Sequence, residues 1–216
     1  MNHDFRSAGN TLNRRQRQHR SLLYTVELAV LVAIVMVLHF TGTAIPAFGT
    51  KISLVLIPIA LGAMLMGPYA GAFLGFVYGV TVFVSLGVLH ADAFTGFLFD
   101  NTPVAAALIC IVKTTLAGFV AGWAYRLLRK KNGILAVFVA AALVPTINTG
   151  VFVLGCLAIL GTIESFLASA ELAFSGVYFI MIVCAGVNYA LELAVNLILA
   201  PALERILRMV NRQLLR

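Results

Sequence analysis

Apolar residues run along this chain in six long blocks, near 22–40, 51–66, 68–89, 103–128, 133–160 and 174–204, and the breaks between them carry charge, glycine or proline. A bilayer core about 30 Å thick is crossed by roughly 20 apolar residues in a helix. The pattern therefore predicts an all-α integral membrane protein, a six-transmembrane-helix bundle. The second block is the shortest: about 16 residues make about 24 Å of helix. Pro58 interrupts it, so a kinked or inclined helix is expected there. Gly67-Pro68 predicts a hinge, because glycine suits the position after a helix and proline suits the first turn of the next.

Composition agrees with the pattern. Hydrophobic residues make up 62% of the 216 and charged residues 11%, and the mean hydropathy is +1.02, outside the range of soluble domains. The chain divides into a basic arm over 1–21, a membrane domain over 22–204 and a basic tail over 205–216.

Charge then predicts an orientation. Arg6, Arg14, Arg15, Arg17 and Arg20 lie in the arm, Arg126, Arg129, Lys130 and Lys131 follow the fourth block, and Arg205, Arg208, Arg212 and Arg216 lie in the tail. The alternate loops hold Asp92, Asp100, Glu164 and Glu171, with Lys51 their one base. Because Lys and Arg accumulate on the cytoplasmic side, both termini are expected to be cytoplasmic. The formal charge of +7 is thus spread over membrane ends, where anionic headgroups are the partner, and nucleic-acid binding is not expected. The first block is longer than a signal h-region and no cleavage site stands out, so it is expected to be a retained helix.

Chemistry-bearing motifs are few. Cys110, Cys156 and Cys184 lie singly in three blocks and read as packing residues. His3, His19, His39 and His90 are scattered. There is no G-x-x-x-x-G-K-[ST], no H-E-x-x-H and no G-x-S-x-G. The chain is expected not to be an enzyme and to need no cofactor or metal.

Polar residues at membrane depth are costly and mark function. Lys113 lies about ten residues into the fourth block, hence about 15 Å deep; Asn148 and Asn188 lie about 18 Å deep in the fifth and sixth. The three are expected to converge on one level, with Glu192 a turn beyond Asn188 on the same face. In the segment VPTINTG, Val144 to Gly150, Pro145 removes a backbone donor, which predicts a local break in the fifth helix where polar groups are wanted. Thr146 and Thr149 are expected to bond back to their own helix. Lys113 and Glu192 either pair with each other or meet a ligand.

Gly67, Gly71, Gly75 and Gly79 recur every fourth residue, Gly118 and Gly122 form a shorter pair, and Ala29 and Ala33 make a small step on the first block. Such faces let helices approach closely. Tight packing within the chain is the expected use of the third-block ladder, and a face for another membrane protein the sharper one.

With the segment KISLVLIPIALGAMLMGPYAGAFLGFVYG, Lys51 to Gly79, and that first-helix motif, the chain resembles the substrate-binding S components of energy-coupling factor (ECF) transporters over most of its length. Many members carry A-x-x-x-A-x-x-x-A on the first helix and dock it on a membrane-embedded T component. Here Ala29 and Ala33 match, while Thr25 and Val37 hold the adjoining positions. The resemblance implies a subunit in a bacterial or archaeal plasma membrane that captures a small water-soluble vitamin from outside. It also implies a pocket lined by the last three helices, and toppling to release substrate inward under a T component and two separate ATPase subunits. The lid implied is the loop Thr41 to Lys51, with Thr43, Pro46, Phe48 and Lys51. Lys113, Asn148, Asn188 and Glu192 are the candidate substrate-binding residues. Lys113 suits a carboxylate or phosphate and the asparagines both donate and accept, an inventory that favours pantothenate over riboflavin. The alternatives are a self-sufficient ion-coupled secondary transporter, with Lys113 and Glu192 in a relay, and a non-transporting membrane scaffold.

Overall fold

The computed structural model describes the backbone over residues 2–42, 46–47, 50–51, 54–89 and 93–214, and side chains over 21–41, 54–89 and 93–210. Among the described residues five helices are long and apolar enough to cross a membrane: Ser21–Thr41, Pro68–Val88, Pro103–Leu128, Gly133–Ala158 and Gly176–Val210. They belong to α1 (Asn2–Gly42), α3 (Pro68–Val82), α5 (Pro103–Leu128), α6 (Gly133–Ala158) and α9 (Val187–Leu214). The second apolar block yields only α2, Leu56–Met66, whose 11 residues rise about 16 Å.

Two expectations about that block are corrected. It does not start helical at Lys51: Thr50–Lys51 (β2) pairs antiparallel with Pro46–Ala47 (β1), Pro46 opposite Lys51. Nor does Pro58 interrupt the helix, because it is the third residue of α2, where the backbone N–H has no helical partner to lose. The Gly67-Pro68 hinge is present. Gly67 adopts a φ of 102°, reachable without strain by glycine, and Pro68 opens α3. The Gly67 N–H donates back to the Ala63 carbonyl at 3.1 Å.

α3 packs most extensively on α5, and the glycine ladder is the reason. A methyl on Gly71 would meet the Gly118 carbonyl, one on Gly75 the Thr114 carbonyl and one on Gly79 the Cys110 carbonyl. Gly118 and Gly122 face back onto Gly71 and Pro68. The ladder is therefore spent on packing within the chain. Thr114 locks the seam, its hydroxyl donating to the Gly75 carbonyl at 2.6 Å.

Two short helices lie outside the expected blocks, α4 (Ala93–Asn101) and α7 (Leu160–Ser169). They close the end of the bundle away from Arg126 and Arg129, where Phe94, Phe97, Phe166 and Phe179 meet edge-on or tilted. Between α7 and α9, α8 (Gly176–Tyr178) runs into a π-helical stretch, Phe179–Gly186. A second π stretch, Phe83–Val88, ends the α3 span and turns Ser85 toward α1, where its hydroxyl shares a 2.7 Å hydrogen bond with His39 Nε2. Extra residues per turn of this kind re-aim side chains and concentrate at functional sites.

Candidate functional site

α6 is built to be close to its neighbours on both sides. Asn132 caps its start, accepting from the Ile134 and Leu135 amides at 3.1 Å each. The expected break at Pro145 is absent: α6 is continuous from Gly133 to Ala158. One backbone bond is lost at the proline, but Thr146 donates to the Ala142 carbonyl at 2.8 Å, and buried Ala141 and Val144 hold the helix against the core.

Two contacts set the register of the three site helices. Lys113 of α5 places its ammonium over the Phe152 ring of α6, 4.9 Å from the centroid. Thr146 of α6 meets the Tyr189 hydroxyl of α9 at 3.2 Å. Phe152 lies one turn beyond Asn148, and Tyr189 adjoins Asn188. The candidates are therefore stacked rather than level: Lys113 with Phe152, then Asn148 and Asn188, then Glu192 a turn nearer the arginine-rich end.

Lys113 and Glu192 do not close an ion pair within 4.0 Å. Glu192, 2% exposed, accepts instead from the Asn188 amide at 3.3 Å. One turn on, Asn196 is 1% exposed and donates its amide to the Glu192 backbone carbonyl at 2.8 Å. Among the described residues four buried acceptors have no protein donor: Asn148 Oδ1, Asn188 Oδ1, Glu192 Oε2 and Asn196 Oδ1. Buried polar atoms left unpaired are rare and costly, so this strip is set apart from the rest of the interior. Asn196 escaped the sequence reading, although the fourth-residue repeat Asn188, Glu192, Asn196 marks it on the same face.

β2 packs against α9, bringing the paired backbone of β1 and β2 to the helix that carries the strip. Of the lid residues, Thr43 and Phe48 lie outside the described residues, as do the side chains of Pro46 and Lys51. A separate cavity of about 460 Å³ lies at the arginine-rich end, lined in part by Tyr24, Glu27, Met64, Tyr125 and Arg129, and holds none of the strip. On α1, Ala29 and Ala33 are exposed, beside Val26, Val30 and Val37.

An apolar helical bundle with a polar strip buried between its helices defines a multi-pass membrane protein of the substrate-handling kind. A sequence model of the ECF transporter substrate-specific component matches residues 23–204, and the chain belongs to that family. It is a substrate-specific membrane subunit of an ECF transporter, a transport subunit of a kind that binds a small substrate and associates with T and ATPase components. No individually curated protein matches the chain.

Proposed function

We propose that this subunit captures a small water-soluble vitamin from outside the cell on Lys113, Asn148, Asn188 and Glu192, beneath a lid formed by the loop Thr41 to Lys51. The observation that carries the reading is the strip of unpaired acceptors between α6 and α9, since a membrane protein keeps such groups only where something binds them. In this reading α2 completes a six-helix membrane domain and both termini face the cytoplasm of a bacterial or archaeal cell, following the basic loops. A T component docks on the exposed Ala29 and Ala33 face of α1, and two ATPase subunits supply the energy for inward release. Pantothenate fits the inventory: its carboxylate suits Lys113, and its hydroxyls and amide N–H suit the acceptors.

Native mass spectrometry of the gently purified chain tests this reading. The expected result is a vitamin-sized molecule in one-to-one ratio, lost or weakened in Lys113→Ala while the protein stays folded. A chain that never holds a small molecule, purified or incubated with a vitamin panel, overturns it. Ion-driven uptake by the chain alone would point to the secondary transporter instead.

A further inference from the structure

The side chains around the strip are not neutral between donating and accepting. An asparagine normally offers both, and its orientation can be exchanged. Here two orientations are pinned. The Asn188 amide nitrogen is committed to Glu192 and the Asn196 nitrogen to the Glu192 carbonyl; turning either over would set oxygen against oxygen. Their free atoms are thus acceptors. Glu192 Oε2 accepts when the carboxyl is ionised, and Asn148 Oδ1 faces the same shortage. Pro145 adds to it, because its missing N–H leaves the buried Ala141 carbonyl without its helical donor. The Lys113 ammonium lies over the Phe152 ring, 4.9 Å from its centroid.

From Asn188 to Asn196 the strip covers eight residues of one helix face, about 12 Å. Three acceptors in a row over that length call for a ligand carrying donors in a row. We infer, resting on the reading that this strip is the substrate site, that the substrate presents at least two N–H or O–H donors to α9, with Glu192 and Asn196 as its principal acceptors. Its electron-rich or anionic end lies toward Lys113. Asn196 thereby becomes a specificity-determining residue, and an anion without donors is rejected because it would leave the acceptors unpaired.

Isothermal titration of the detergent-purified full chain tests this with four probes. Pantothenate, biotin and thiamin each carry at least two such donors, and nicotinate is an anion with none. One donor-bearing probe is expected to bind, with affinity at least tenfold weaker in Glu192→Gln and in Asn196→Leu, both still monodisperse. Tight binding of nicotinate overturns the inference, as does a donor-bearing ligand whose affinity neither variant alters. If none of the four binds but native mass spectrometry recovers another molecule, its donors decide: two or more uphold the inference, fewer overturn it. If no molecule binds at all, the substrate-site reading falls and the inference with it.

Discussion

The α3–α5 seam and the α6–α9 seam are both helix pairs inside an apolar bundle, and they treat polar groups in opposite ways. Between α3 and α5, side chains are almost deleted. Gly71, Gly75 and Gly79 let backbone meet backbone, and the buried hydroxyl of Thr114 finds three carbonyls. Between α6 and α9, amides and a carboxylate are kept at full size and, among the described residues, four acceptors go without donors. A seam that satisfies itself holds the fold; a seam that does not is arranged for something else.

That contrast can be broken at several points. The largest effect is expected at Gly75→Leu, which forces bulk into the Thr114 carbonyl and should cost about 3 kcal/mol or more, read as a steep loss of folded protein and of melting temperature in detergent. Gly150→Ala, with nothing within 4 Å of its added methyl, is the matched control and should hold or slightly raise stability. An equal loss at both positions would deny the seam its special role.

Next comes a change of opposite sign. Asn196→Leu removes a buried unpaired oxygen, so the melting temperature should rise, by about 1 kcal/mol of stability, while ligand binding falls. Destabilisation instead would make Asn196 a packing residue and the strip an ordinary part of the core. Thr114→Val removes the hydroxyl that locks the first seam and should cost about 0.5–1 kcal/mol, seen as a small drop in the thermal midpoint. The smallest effect on stability is expected from Ala29→Trp and Ala33→Trp, which face outward; they should leave melting and substrate binding intact while abolishing uptake by the assembled transporter. Loss of binding as well would show α1 packing disturbed rather than docking blocked.

The sequence was informative about elements and less so about their arrangement. The glycine ladder was readable because its spacing of four leaves a bare helix face, and the partner lay in the equally spaced Gly118 and Gly122. Gly67-Pro68 was readable because its conformational demand is local. Pro58 and Pro145 are not legible in the sequence, one sitting in a helix's first turn and the other held in place by its surroundings. Helices α4 and α7 are too short to register as spans; their aromatic residues only make sense once they pack on Phe179.

The site shows the same division. That Lys113, Asn148, Asn188 and Glu192 are the candidates follows from the cost of polarity among apolar residues, which needs no fold to evaluate. That Asn188 and Glu192 share a face followed from helical spacing. What no single helix could determine was the register between helices, since side-chain packing sets how far one slides and turns against another. Tertiary structure alone placed Lys113 on Phe152 rather than on Glu192, and joined Thr146 to Tyr189. The sequence by itself determined that the chain would form apolar helices bearing costly polar groups, because a bilayer permits little else. Only the tertiary structure decided which of those groups would be paired and which left facing one another as acceptors.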